Sequence, residues 1–441
     1  MFSNHDLKAM IVPLFVEQLL LVLVGIVDIF VVSHVSEAAV SGVSLVNSFN
    51  MIFILLFVAL ASGGAVVISQ YLGKGDKQAA SKTASQLLTI SIIFSFLMAA
   101  VTICNIRPLL TLLFGAVEPE VMSACVTYLC VSAYSYPALA IYNAGAAMYR
   151  SFGNTKTTMR LSIISNVINF VGCLVGVFVL HAGVAGVAWP SLIARVFSAI
   201  AITILCFSKN IPICYSPKDI FFWSWGLQKK ILRIAVPNGI ESGVFQLVKV
   251  ALSSVVALFG TYEIAANGVA QSIWNIASLV CITMGPLFIT VIGQCMGASD
   301  IDAARYYFKK LTRISVIFAT GWSVFTFILT VLLLRFYPLS EETKSLVIQL
   351  VLLHNIFTAL TFPFADPLGK GLRATGDVNF TTAVSLFTTI GVRLVLSYIF
   401  ALHFDLGVMG IAWAMCADWF VRGLIFWWRF QSGRWAKCKV I

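Results

Sequence analysis

The sequence predicts an all-α polytopic membrane protein, with twelve transmembrane helices in two pseudo-twofold-related six-helix lobes. Three observations predict it: an apolar composition with little charge, twelve apolar runs with short polar connections, and an internal repeat at half the chain length. Of 441 residues, 60% belong to the set AVILMFWYC and only 11% are Asp, Glu, Lys or Arg. A soluble domain carries roughly 25% charge. Mean hydropathy is +0.96. So little charge could not cover the surface of a soluble fold of this length, which excludes a soluble enzyme.

A bilayer crossing takes about 20 apolar residues. Runs of that kind lie at 9–34, 45–71, 84–106, 121–148, 160–181, 185–208, 232–259, 268–296, 312–335, 343–369, 380–402 and 408–429. The first follows a polar opening and is too long for a signal peptide, and it has no small-residue cleavage site. It is therefore read as a retained helix. The longest connection, 209–231, is expected to be a cytoplasmic linker between an N-terminal lobe, 1–208, and a C-terminal lobe, 232–441. Pro137, Pro286 and Pro363 fall inside runs and should bend them.

The net charge of +11 has a topological explanation. With both termini cytoplasmic, 22 of the 29 Lys and Arg fall on the inner side and 3, Arg107, Arg335 and Lys344, on the outer side. The other four, Arg195, Lys249, Arg393 and Arg422, lie within spans. This asymmetry is the positive-inside bias and needs no nucleic-acid partner. The ten cysteines are scattered without a CxxC pair and read as packing residues, not as a disulfide frame or zinc site. Neither a Walker A sequence nor HExxH occurs, which argues against ATP-driven pumping and zinc hydrolysis by this chain, and the chain is not read as an enzyme.

The repeat pairs Val67–Ala80 with Val291–Ala304, seven of fourteen positions agreeing at an offset of 224. The same offset pairs Gly183–Trp189 with Gly407–Trp413, five of seven, and Pro13 and Glu17 with Pro237 and Glu241. Arg150–Asn154 matches Arg373–Asp377 at an offset of 223. Six spans per repeat is an even number, so both halves enter the membrane in the same direction. Such a pair of bundles suits alternating access to a midplane site.

Pro13–Leu20, Gly25–Ser33 and Glu37–Asn47 resemble the first two helices of the multidrug and toxic compound extrusion (MATE) family. Gln70–Asp76, Leu372–Asp377 and Asp418–Arg422 are similar to its recurring loop and helix-end motifs. The resemblance covers about residues 10–435. It implies a secondary antiporter, driven by H+ or Na+, that exports amphipathic and often cationic or aromatic small molecules. It also implies a monomer in the plasma membrane, the inner membrane of a bacterium, with small molecules and lipid as partners and no fixed cofactor. A flippase of a lipid-linked precursor, in the same superfamily, is the alternative; a membrane enzyme or channel would need a catalytic cluster or pore ring that the sequence lacks.

An ionisable residue in a span costs about 2.5–3.5 kcal/mol even on insertion scales, so each needs a partner or a task. Asp28 matches the family's coupling carboxylate, and such a group can carry a proton or ligate sodium through oxygen; no other metal site is expected. In the family, an Asn on the fifth helix is followed four residues later by an Asp. Here Asn169 is followed by Cys173, which weakens a two-carboxylate sodium site; Asn166 is a further candidate. In the second half, Glu241, Gln246, Lys249, Asp366 and Arg393 are candidates for a substrate cleft or an ion-pair network, and Arg393 is the repeat partner of Asn169. Glu17 and Glu241, each one turn after a proline, are expected at an inner gate. Asp418 and Arg422, spaced i,i+4, should form a structural pair.

Overall fold

The computed structural model describes residues 2–115, 117–336 and 339–441. Among these, eleven helical segments are long and apolar enough to cross a membrane, and a bent pair, kinked by 44°, makes a twelfth. The first half runs α1 (Asn4–Ser33), α2 (Glu37–Gly73), α3 (Lys77–Cys104), a short α4 (Ile106–Phe114), the bent pair α5 (Pro119–Tyr134) and α6 (Tyr136–Ser151), α7 (Thr155–Leu174) and α8 (Ala185–Cys206). A short α9 (Pro217–Phe221) leads to α10 (Trp225–Val256). Then come α11 (Thr261–Ala277) and α12 (Leu279–Gly297), α13 (Ile301–Leu334), α14 (Glu341–Leu360) with the broken pieces α15 (Phe362–Ala365) and α16 (Pro367–Ala374), α17 (Val378–Phe387), α18 (Val395–Tyr398) and α19 (Gly407–Gln431). Each predicted run corresponds to one crossing.

Contacts divide the chain into two compact units, Asn4–Gly239 and Ile240–Ile441, the second also taking in the chain's first residues. In the first unit α1 packs on α7, α7 on α8, and α2 on α3, α5 and α6. Its core includes Val31, Val46, Leu129, Cys173 and Val187. In the second, α12 packs on α13 and α16, α11 and α13 pack on α14, and α19 packs on α15 and the segments after α17. Its core gathers around Val351, Met415 and Trp419. Phe96, Leu97, Val179, Ile204 and Leu332 are exposed, as a lipid solvent permits. The cysteines are free thiols, and Cys125, Cys173, Cys206, Cys281, Cys295 and Cys416 are buried.

The repeat is visible in local geometry. Gly75 and its equivalent Ser299 both take positive φ, 82° and 59°. After each, an aspartate caps the next helix: the Asp76 carboxylate accepts from Ala79 N and that of Asp300 from Ala303 N, both at 2.9 Å. The motif at 67–80 is thus a helix-end turn and an N-cap written twice. Gly153 and Gly376 (φ 83° and 101°) end α6 and α16 the same way. π-helical segments continue α7 through Val175–Val179 and α18 through Ile399–His403, again 224 residues apart.

One feature has no counterpart among the described residues of the first half. From Asn154 to Asn169 is one residue fewer than from Asp377 to Arg393. The second half takes up the extra residue in a further π segment, Thr388–Leu394, which carries Arg393. A single inserted residue widens a helical turn in this way.

Two of the three predicted proline bends coincide with breaks. Pro137 follows the kink at Ser135, and Pro363 follows the break at Thr361; α12 runs through Pro286. The connection 209–224 is not free chain. The Gln86 amide of α3 donates to the Asp219 and Phe222 carbonyls and accepts from Ser224 N, while Ser81 and Ser85 accept from Cys214 N and Ser216 N.

Within the repeat motif Gly183–Trp189, Gly186 lies where α8 meets the π end of α7. A Cβ there would stand 2.6 Å from the Gly176 carbonyl oxygen, and one on the equivalent Gly410 would stand 2.6 Å from the Phe400 carbonyl carbon. Small residues allow close backbone approach between membrane helices. Gly186→Val is therefore expected to destabilise the protein by about 3 kcal/mol, the upper range for overpacking. Thermal melting of the purified protein checks this; an unchanged midpoint would show that the helices can part.

Candidate functional site

Asp28 sits on the last turns of α1, where that helix packs on α7. Asn169 Nδ2 donates to Asp28 Oδ1 at 3.0 Å. The amide is oriented by its other end: Ser191 Oγ on α8 donates to Asn169 Oδ1 at 2.9 Å. Cys173, one turn beyond Asn169, brings its thiol to 3.9 Å from Asp28 Oδ1 and 3.7 Å from Asn169 Oδ1. Arg195 lies within electrostatic reach of the carboxylate and donates to Ser135 Oγ at the α5–α6 bend, 2.6 Å away. The sequence candidates Asp28 and Asn169 are thus in contact, with Cys173 beside them. Asn166 takes no part in these contacts, and its buried amide nitrogen has no hydrogen-bond partner among the described residues. The second Asp28 oxygen has no hydrogen bond among the described residues, which leaves one lone-pair face for an exchangeable proton or ion. No group of three or more His, Cys, Asp or Glu side chains could hold a metal among the described residues.

Glu17 is 2% exposed and held in a clamp. Arg150 of α6 pairs with Oε1 at 2.6 Å, Thr158 of α7 donates to Oε2 at 3.1 Å, and Tyr142 donates to Oε1 at 3.3 Å. The clamp recurs in the second half. Arg373 of α16 pairs with Glu241 of α10, and its Nε donates to Thr381 of α17 at 3.3 Å. Glu17 and Glu241 therefore tie the first helix of each half to its fourth and fifth crossings. A buried carboxylate with an arginine and a hydroxyl partner is well satisfied.

Asp366 pairs with Lys370 at 2.8 Å, one turn along α16. Asp418 is completely buried and shared: Arg422 reaches Oδ1 at 2.7 Å and Arg393 reaches Oδ2 at 3.0 Å. Arg422 also donates to Thr388 and Thr389 on the extra π segment, at 3.0 and 2.8 Å. The structure thus assembles Asp418, Arg422 and Arg393, and does not join Glu241, Lys249, Asp366 and Arg393 into one cluster. The Lys249 and Gln246 side chains form no hydrogen bond or ion pair among the described residues.

Sequence reasoning did not single out Arg150, Arg373, Arg195 or Ser191 as partners. For Arg150 and Arg373 a signal existed: each lies in the repeat motif at a helix end, and Glu17 and Glu241 recur at nearly the same offset. Exposed polar side chains within spans were also passed over, namely Ser41, Ser44 and Ser48 on α2 and Ser272 and Asn275 on α11. Their three- and four-residue spacing on one helix face was the readable sign.

The MatE family profile matches residues 13–175 and again residues 237–399. The two matches start 224 residues apart, the offset of the repeat. The chain is 28% identical to the uncharacterized transporter YisQ of Bacillus subtilis over 430 residues, 96% of this chain and 93% of that one. It is 23% identical to the probable multidrug resistance protein NorM of Thermotoga maritima, covering 99% and 94%. Among solved structures, a MOP superfamily transporter from Pyrococcus furiosus superposes with a TM-score of 0.90 at 19% identity, covering 97% of this chain and 95% of that one. An outward-facing MATE multidrug resistance transporter of the MOP superfamily gives 0.88 at 20%, covering 97% and 96%. Two family matches in tandem, on a fold of twelve crossings, place this chain in the MATE family of membrane transporters.

Proposed function

We propose that the chain is a proton-coupled secondary antiporter that exports amphipathic small molecules by alternating access. It works as a monomer in the plasma membrane, with both termini cytoplasmic and residues 209–231 between the lobes. The names of its NorM relatives support drug export, and the charge asymmetry of its connections supports the orientation.

The observation that carries proton coupling is the donor set around Asp28. The amide turns its nitrogen, not its oxygen, toward the carboxylate, and its oxygen already accepts from Ser191. Where a second acid would complete a sodium cage there is the Cys173 thiol, a soft and weak ligand for a hard cation. One carboxylate, an N–H donor and a thiol suit a group that alternates between binding and releasing a proton.

The test is gradient-driven transport in proteoliposomes, with ethidium and carboxyfluorescein as reporters. A proton gradient is expected to drive at least one dye and a sodium gradient neither. Transport on sodium alone would overturn proton coupling. No transport on either gradient would overturn dye export and favour the flippase reading.

A further inference from the structure

We propose that the second lobe presents a cationic face that takes the anionic group of an amphipathic aromatic cargo. This rests on the transport reading and names the chemical class of what is carried.

The face lies on α10. Ser242, Gln246, Lys249 and Ser253 follow one another at spacings of four, three and four, so they line one side of the helix. Lys249 and Ser253 are exposed. Polar side chains on one face of a crossing helix mark contact with water rather than lipid. Phe245 is one turn from Lys249, and the Arg393 guanidinium stands 4.9 Å from its ring centroid. Arg393 and Lys249 are also within electrostatic reach of each other.

The charges do not cancel. Glu241, Asp366 and Asp418, acids within the second-lobe crossings, are engaged elsewhere: Glu241 by Arg373, Asp366 by Lys370, and Asp418 by two arginines at once. Lys249 has no acidic partner among the described residues, and Arg393 has half of one. The buried Trp274 indole N–H, in the same core beside Trp419, also lacks an acceptor among the described residues. Lys249 takes no part in the Asp418 network, and neither cation has a counterpart in the first lobe. At an offset of 224 the first lobe has Gly25 and Asn169 in their places. Arg393 is moreover carried by the π segment Thr388–Leu394, which has no counterpart among the described residues of the first lobe.

An approaching cation would meet the exposed, unpaired Lys249 ammonium, with the buried Arg393 guanidinium behind Phe245 adding to the positive potential. A carboxylate, sulfonate or phosphate would complete the pairing with charge-assisted hydrogen bonds, and Phe245 offers a ring face for the cargo's aromatic part. The family resemblance implied amphipathic cargo that is often cationic or aromatic; this face selects an anionic group.

The experiment measures binding by fluorescence anisotropy to the full chain purified in a neutral detergent, where no gradient is needed. Carboxyfluorescein is the anionic probe and ethidium the cationic one. Carboxyfluorescein is expected to bind more tightly than ethidium. Lys249→Gln should weaken it about tenfold, the scale of one charged hydrogen bond, without weakening ethidium, and Lys249→Arg should restore it. No carboxyfluorescein binding, a preference for ethidium, or equal loss of both dyes in Lys249→Gln would overturn the proposal. Displacement of the anionic dye by phosphatidic acid added to the micelles would make a lipid phosphate the source of the anion; no displacement would make it a soluble organic acid. Binding of the expected sign with no gradient-driven transport would overturn the antiport reading and leave the cationic face standing.

Discussion

Asp28→Asn is expected to reduce proton-driven dye export to the level of protein-free liposomes, while the purified protein still binds dye and melts as the wild type does. The side chain keeps its shape and its acceptor oxygen for Asn169 Nδ2, which now sits 3.0 Å from Asp28 Oδ1. What it loses is the ability to change charge. Coupling depends on that change, because a site that binds the ion identically in both conformations shifts no equilibrium. Folding should tolerate the neutral amide, since it removes a charge that costs energy to hold in the membrane. Undiminished export by the variant would remove Asp28 from the coupling step. The converse substitution, Cys173→Asp, restores the acid that the family motif places one turn after the Asn. It would set a second carboxylate beside Asp28, near where the thiol now stands at 3.9 Å. Two acids that close share a proton or recruit a cation. Sodium is therefore expected to stimulate export in Cys173→Asp and not in the wild type, measured in the same liposomes; a sodium-indifferent variant would show that the missing acid does not set ion choice.

The reach of sequence reasoning followed the range of each interaction. The twelve crossings depend on local hydropathy, and every apolar run became one. The repeat depends on matching residues, and the family profile matches at the same offset. Asn169 and Cys173 share a face of one helix, so their relation to each other was readable, and the family motif linked them to Asp28. The salt-bridge pairings were harder to read. Asp418 and Arg422 are four residues apart and could be paired by spacing alone. Arg393 joins them only because the chain between Val378 and His403 packs against α19, and because one extra residue opens a π turn within it. Nothing in local pattern shows where an inserted residue will be absorbed. Glu17 and Glu241 illustrate the same limit. Their repeat relation was visible from their prolines, but the side they face depends on Arg150 and Arg373, more than 130 residues away.

The Asp418 network carries the largest stability prediction. Asp418 has no solvent exposure and Arg393 only 5%, and the carboxylate is the only acid paired with either Arg393 or Arg422 among the described residues. A buried pair offsets much of its own desolvation; removing one member leaves the other charge without compensation, at a cost of about 3–5 kcal/mol. Asp418→Asn strands two guanidinium groups at once. It is expected to lower the melting point and yield of the detergent-purified protein more than any single arginine replacement at the site. Arg422→Met is the internal comparison. It removes one cation and its bonds to Thr388 and Thr389 but leaves the Arg393–Asp418 pair, so its loss should be smaller. If the two variants melted together, the network's stability would lie in the hydroxyl contacts of Arg422 rather than in the shared charge. If Asp418→Asn melted with the wild type, the second lobe would tolerate a still larger positive excess, and the cost of burying these cations would be met by water reaching the face that Lys249 already lines.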